Sequence, residues 1–331
     1  MKTIALFFGG LSNEAEVSVM SAGNIVKYFD YKKYNLLLIY WNKQDKRFYE
    51  VDDTTGYKIK KRKNLPIEKF SSRFSSAFLV THGRFGEDGI LQAILEGQGV
   101  KYCGCGVASS ALCMDKAMFK NLMSGAGISQ VKYEWLDFSL DDPGELNRKK
   151  SLIKKFNLPV FVKPANSGSS VGITKVSAFN QLETAIALAR RHDRRVIIEE
   201  GLINPREIEV GVVGNGKLLV SRPGELRPTK EFYDYEDKYC LGRAMAEVPA
   251  RLSPSQEQSI RGLAEKAYRL AGCRGFARVD FFISQQGVIY LNEINTLPGF
   301  TDISMFPMLM GGSGLAYQAL INRIITLADQ K

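Results

Sequence analysis

The stretch RVDFFISQQGVIYLNEINTLPG, residues 278–299, constrains this chain more than any other. Two apolar runs, Val279–Ile283 and Val288–Leu291, flank Gln285-Gln286-Gly287, and apolar runs around a glycine turn predict a β-hairpin. Residues two apart on a strand share a face, so Arg278 lies beside Asp280 and Glu293 beside Asn295. If the strands pair, one guanidinium, two carboxylates and one amide converge on one side of a sheet. Three oxygen ligands of this kind suit a hard divalent ion that also holds phosphate, as Mg²⁺ does. The competing reading is an edge hairpin with solvated polar ends. Acids and an amide on strands otherwise so apolar favour the site.

A chain of 331 residues has room for two or three domains, and 45% hydrophobic content is ordinary for a soluble globular protein. No apolar stretch reaches the length of a membrane span. The opening MKTIALFFGG runs straight into a glycine turn, so it reads as a buried first strand and not as a signal peptide. Five cysteines without a C-x-x-C pair are read as reduced thiols in a cytoplasm. The net charge of +10 raises nucleic-acid binding, but much of it sits in Lys58–Lys63 and Arg190–Arg195. Neither run has interleaved aromatics, so both are read as solvated surface.

Taken in order, Ile4–Phe8, Gly9-Gly10 and Ser12–Phe29 form a strand, a glycine turn and a helix, followed by strand Leu36–Tyr40. That succession opens a doubly wound α/β unit. Glu14 and Glu16 fall in the first helical turn, where acids are favoured in any case. Strand Phe78–Val80 delivers THGRFGEDG at its carboxyl end, where open α/β sheets bind ligands. His82 in that loop is either structural or functional. A helix is expected over Ser109–Ser124, carrying Lys116. In LPVFVKPANSGSSVGITKV, strands Val160–Lys163 and Val171–Val176 enclose a small polar loop whose amides and hydroxyls suit phosphate. Lys163 among strand apolars needs a partner, because an isolated buried ammonium is costly. VIIEE at 196–200 is expected to pair with EIEVGVV at 207–213, and residues 221–250 to form a long irregular loop, a candidate lid. Ser253-Pro254-Ser255-Gln256 begins a capped helix.

GGLSNEAEVS, HGRFGEDG, MDK, VKPANSGSSVG, EFYDYEDKY, GFARVDFF and YLNEINTLPGFTDISMFP occur in this order from Gly9 to about Pro307. Together they resemble the D-alanine–D-alanine ligases of the ATP-grasp superfamily. The resemblance implies a three-domain α/β ATP-grasp architecture: an N-terminal doubly wound domain (1–104), then central (105–199) and C-terminal (200–331) α+β domains sandwiching ATP. It implies Lys116 and Lys163 on the nucleotide phosphates, Gly168, Ser169 and Ser170 in the phosphate loop, and Lys238 reaching over from the lid. Glu199, Glu200 and Leu202 would line the adenine region and Glu207 would hold the ribose. Asp280, Glu293 and Asn295 would bind two Mg²⁺ (or Mn²⁺). Glu14 would hold the first D-alanine, with His82 orienting it, and Tyr239 would bridge Ser169 and Glu14. Arg278 and the Gly299 N–H would form the oxyanion site, and Ser304 and Met305 would take the second D-alanine. The implied reaction joins two D-alanines through an acyl phosphate for peptidoglycan, in a cytoplasmic homodimer that binds neither nucleic acid nor membrane. The alternatives are a ligase using D-serine or another second substrate, or a nucleotide-binding protein without turnover. Between Glu14 and Glu16 the family usually carries histidine or arginine, where this chain has Ala15.

Overall fold

The computed structural model describes residues 1–54, 61–138, 143–168, 171–227 and 245–330. Three sheets succeed one another along the chain. The first is ordered β4-β3-β2-β1-β5-β6, from β1 (Lys2–Gly9), β2 (Tyr34–Trp41), β3 (Phe48–Val51), β4 (Lys61–Asn64), β5 (Ser76–Leu79) and β6 (Lys101–Tyr102). Its centre is parallel and its β2-β3-β4 side antiparallel. Helix α1 (Ala15–Tyr28) follows β1, and the short α2 (Phe70–Arg73) and α3 (Ile90–Gly97) flank β5.

The second sheet is antiparallel, ordered β7-β10-β8-β9, from β7 (Tyr133–Asp137), β8 (Val160–Pro164), β9 (Thr174–Val176) and β10 (Arg195–Glu200). Two helices precede it, α4 (Val107–Met114) and α5 (Lys116–Gly125), and α6 (Pro143–Ile153) and α7 (Leu182–Arg190) lie within it. Ile153 of α6 and Leu182, Ile186 and Ala189 of α7 pack on Val160, Val162, Val196 and Ile198. The strand residues alternating with these, Phe161, Lys163, Ile197 and Glu199, therefore face the other way.

The third sheet runs β14-β13-β11-β15-β16, from β11 (Arg206–Val213), β13 (Gly224–Arg227), β14 (Met245–Glu247), β15 (Phe276–Ile283) and β16 (Ile289–Asn295), with β12 (Leu219–Val220) on β11. Helix α8 (Pro254–Leu270) covers it with Ile260, Ala264 and Ala267 against Ile208, Val210, Val279 and Phe281. Its start matches the expected capping box, Ser253 Oγ accepting from Gln256 N and Gln256 reaching back to Ser253 N. The last helices, α9 (Met305–Gly312) and α10 (Tyr317–Ala328), close the chain. Leu320, Ile321 and Ile324 of α10 share one core with β1 and β5, so both ends of the sequence build the first layer.

Three expectations are corrected. Strand β10 does not pair with β11: its edges are filled by β7 and β8, and the five residues from 201 to 205 cross into the next sheet. The helix expected over Ser109–Ser124 is two helices broken at Asp115, which is extended (φ −85°, ψ 98°) and caps α5 through its side chain on Ala117 N and Met118 N. The stretch from 221 to 250 is strand at both ends, β13 and β14. Residues 228–244, with Lys238 and Tyr239 of the expected lid, lie outside the described residues, as do Ser169 and Ser170.

Candidate active site

Hairpin β15–β16 pairs Arg278 with Asn295 and Asp280 with Glu293, so all four side chains leave the sheet on one face. Val279 and Ile294, also opposite each other, enter the core on the other. That outcome depends on a bulge. The partner of Phe281 is Leu291, the partner of Asp280 is Glu293, and Asn292 is the extra residue between them. Ile289 and Leu291 face the core, so strict alternation would have turned Glu293 inward as well. One inserted residue reverses the phase and puts Glu293 and Asn295 on the face of Arg278 and Asp280.

The guanidinium of Arg278 forks onto Asp280, Nε to Oδ1 at 2.8 Å and Nη2 to Oδ2 at 2.7 Å. Its Nε also lies 2.9 Å from Glu209 Oε2, reaching across from β11, where Glu209 is the neighbour of Asp280. Glu209 is a site residue the sequence reading missed. Its signal was available, since Glu207 and Glu209 are two apart on one strand and share a face. Two carboxylates and an amide make a hard-oxygen donor set that fits Mg²⁺, which keeps several waters and takes few protein ligands. Asp280 retains lone pairs beside its bond to Arg278. Among the described residues no three His, Cys, Asp or Glu side chains are gathered so as to hold a metal ion, and the donors at this face are two carboxylates and an amide.

This face floors a cleft of about 430 Å³ whose other walls come from the residue before α1, the loops after β5 and β8, and the α4–α5 junction. Its lining includes Glu14, His82, Lys116, Gly168, Glu207, Arg278, Asp280, Glu293, Asn295, Gly299, Ser304 and Met305. Lys116, at the start of α5, donates to Ser167 O at 2.8 Å and lies 3.7 Å from Glu293 Oε2. Asp115 pins that corner through its cap and an ion pair with Arg195, so this arginine of the basic run is structural.

Lys163 has the partner its position demanded: Nζ lies 2.5 Å from Glu199 Oε2. Lys120 approaches the other oxygen, Oε1, at 3.2 Å. Burial pushes the Glu199 carboxyl up, but the charges of Lys120 and Lys163 outweigh that and hold it at about 2. Burial lowers the proton affinity of Lys120, more than Glu199 restores it. Glu200 points the opposite way, accepting from Asn157 N at 2.7 Å and from Lys132. It is thus separated from Glu199 although adjacent in sequence. Leu202 lies on the crossing between sheets and Glu207 opposite Phe282.

Glu14 is the residue before α1, buried at the cleft wall. A Cβ at Gly83, whose φ is +72°, would stand 2.2 Å from Glu14 Oε2, and one at Gly168 3.1 Å from it. Gly83 is therefore required both by its φ and by the carboxylate packed on it, whereas at Gly168 the carboxylate would have to yield by only a few tenths of an ångström. Gly83→Ala should displace that carboxylate and raise KM for whatever cation it holds about tenfold or more, at a backbone cost of about 1 kcal/mol. Steady-state kinetics on the folded variant check this, and an unchanged KM would remove Glu14 from the substrate site.

His82 is buried with both ring nitrogens engaged: Nδ1 lies 3.0 Å from Leu297 O, and Nε2 3.2 Å from Ser21 Oγ. A carbonyl accepts only, so Nδ1 donates to Leu297 O, and in the neutral ring Nε2 accepts from Ser21. Ser21 Oγ in turn accepts from Phe300 N at 3.2 Å, and Asn24 Nδ2 and Tyr317 Oη both donate to Phe300 O. Burial pushes the Tyr317 phenol well up, so it stays a donor. The loop carrying Gly299 is thus clamped on both sides by the N-terminal layer. Ser21 and Asn24, two further residues the sequence reading missed, are part of that clamp. Beyond it, Ser304 Oγ lies against Gly299 and bonds Thr301 N at 2.9 Å, just before α9. Ser21→Ala should strand His82 Nε2 and Phe300 N, lower stability by about 1–3 kcal/mol and slow turnover. Denaturant melts with kinetics test it; loss of stability without loss of kcat would make the clamp purely structural.

Two family models cover most of the chain: D-ala D-ala ligase N-terminus over residues 3–105 and D-ala D-ala ligase C-terminus over residues 122–326. The chain is 39% identical over 360 residues to a D-alanine–D-alanine ligase of Chlorobaculum parvum, covering 100% of this chain and 97% of that one. It is 40% identical over 352 residues to one of Caldicellulosiruptor bescii, covering 99% and 95%. Among solved structures, VanG D-Ala:D-Ser ligase from Enterococcus faecalis superposes with a TM-score of 0.86 at 34% identity, covering 99% of both chains. The D-alanine–D-alanine ligase of Coxiella burnetii gives 0.83 at 30%, covering 99% of this chain and 94% of that one.

Proposed function

Because the chain belongs to the D-alanine–D-alanine ligase family, an ATP-grasp family, we propose that it joins two D-alanines at the expense of ATP. ADP and phosphate are released, and the product is the dipeptide of peptidoglycan precursors. The observation that carries this reading is the paired face of Arg278, Asp280, Glu293 and Asn295 opening on one cleft with Lys116 and Glu14. In domain terms, residues 1–104 supply Glu14 and the clamp, 105–199 the lysines, and 200–331 the acidic face.

The carboxylate of the first D-alanine attacks the γ-phosphorus, the bond to the ADP oxygen breaks, and D-alanyl phosphate forms. Glu14 holds the ammonium of that D-alanine, and His82 acts on it indirectly by fixing the loop that carries Gly299. Lys116 and Lys163 draw the phosphates, together with Gly168, Ser169 and Ser170 of the small loop and Lys238 of the lid. Glu199, Glu200 and Leu202 surround the adenine, and Glu207 accepts from the ribose. Asp280, Glu293 and Asn295 would hold two Mg²⁺ (or Mn²⁺), which neutralise charge on the transferred phosphate when bound.

The neutral amine of the second D-alanine then attacks the acyl carbonyl, phosphate leaves with the bonding pair, and the proton lost from nitrogen ends on the phosphate. Arg278 and the Gly299 N–H stabilise the oxyanion. The N-terminus of α9, with Ser304 and the Met305 N–H, receives the second carboxylate, since helix N-termini favour anions. Tyr239, bridging Ser169 and Glu14, closes the site against water, which would hydrolyse the acyl phosphate.

Phosphate release with Mg-ATP and D-alanine, set against L-alanine, tests the reading; equal rates for both enantiomers would overturn it. The match to VanG favours D-serine as the second reading for the second substrate. Product analysis with D-alanine, D-serine and D-lactate separates the two.

A further inference from the structure

Helix α5 carries two lysines one turn apart, so both lie on one face: Lys116 at its first residue and Lys120 four residues on. Lys116 reaches the cleft. Lys120 is 1% exposed, its Nζ lies 3.2 Å from Glu199 Oε1 without hydrogen-bond alignment, and among the described residues no other acceptor meets it. The Tyr133 ring covers it at 5.6 Å. Burying an ammonium so poorly satisfied is unfavourable for folding, so packing does not explain it. Glu199 already has a counter-ion in Lys163, at 2.5 Å. One buried carboxylate thus faces two ammonium groups, one more than its charge requires.

We propose that Lys120 is a positioning residue for nucleotide recognition, holding the Glu199 carboxylate in place as an acceptor once Lys163 has turned to the phosphates. This deepens the reading above and rests on its assignment of Lys163 to phosphate and Glu199 to the base. Lys163 and Glu199 are diagonal neighbours on adjacent strands, so Lys163 leaves Glu199 when a triphosphate draws it along the cleft. Lys120, enclosed beneath, has nowhere else to go. A carboxylate only accepts hydrogen bonds. Held ionised, Glu199 welcomes the exocyclic amine of a 6-aminopurine and repels the oxygen of a 6-oxopurine. Left without Lys120, it takes up a proton or turns away, and that discrimination weakens.

The test measures KM and kcat with ATP and with GTP for Lys120→Met, Lys120→Arg, Glu199→Gln and the double variant Lys120→Met/Glu199→Gln. Lys120→Met should raise KM for ATP about 10- to 100-fold, the worth of a hydrogen bond to a charged group. Its kcat should change little, the preference for ATP over GTP should narrow, and Lys120→Arg should restore both. In the double variant KM should match that of Glu199→Gln alone, because Lys120 acts only through Glu199. Lys120→Met leaves Glu199 paired with Lys163, so that variant keeps a balanced buried pair, and the variants that lose Glu199 are compared on protein whose circular dichroism matches the parent. A wild-type KM and ATP:GTP ratio in Lys120→Met, whatever its melting temperature, overturns the proposal, as does a further rise of KM in the double variant. A wild-type KM in Glu199→Gln overturns the assignment of Glu199 to the base instead.

Discussion

Arg278→Met should lower kcat by roughly 10²- to 10³-fold, the usual consequence of deleting one donor to a developing oxyanion. The guanidinium also neutralises Asp280 and Glu209, which are 8% and 7% exposed. Removing it takes the guanidinium away from two buried carboxylates, and breaking a buried pair typically costs about 3–5 kcal/mol. Activity is therefore to be compared on protein whose circular dichroism matches the parent. Arg278→Lys separates the two effects, since it returns a positive charge but not the planar fork. It should recover most of the stability and only part of the rate. A folded Arg278→Met retaining kcat within about tenfold of the parent would mean that the oxyanion lies elsewhere.

Glu293→Gln should stop ADP release, by about 10³-fold or more, while leaving the fold intact. The side chain is 34% exposed and Lys116 lies 3.7 Å from it, so losing that ion pair costs less than about 1 kcal/mol. An amide of the same shape keeps the packing but gives up the negative charge that a hard cation requires. Raising the Mg²⁺ concentration should therefore recover part of the rate in Glu293→Gln and none in Arg278→Met. Parent-level ADP release at low Mg²⁺ in Glu293→Gln would take the metal away from this face.

Local chemistry was easy to read in the sequence. The Ser253 cap, the first strand running into its glycine turn and the alternation of β15 each follow from neighbours within four residues, and the structure has them. What was misread involves pairing at a distance. The broken helix at Asp115 turns on a side chain that prefers capping to helix interior and is held there by Arg195, eighty residues on. The false pairing of β10 with β11 came from two apolar runs close in sequence, with no sign that β7 and β8 already filled both edges. His82 stood undecided between structure and function because its partners, Ser21 and Leu297, belong to opposite ends of the chain.

The sequence by itself determined which residues could do the chemistry: Arg278 beside Asp280 and Glu293 beside Asn295, each pair on one strand face by the period of two. It also determined the hairpin through Gly287, whose φ of +80° suits glycine. The phase between the two strands was decided only in the tertiary structure. An unbroken ladder from the observed turn would have set Asp280 opposite Asn292 and buried Glu293 with Leu291. The bulge at Asn292 avoids this because Leu291 and Ile294, three apart, both enter the core beneath α8, and burying the two apolar side chains outweighs one disrupted rung of the ladder.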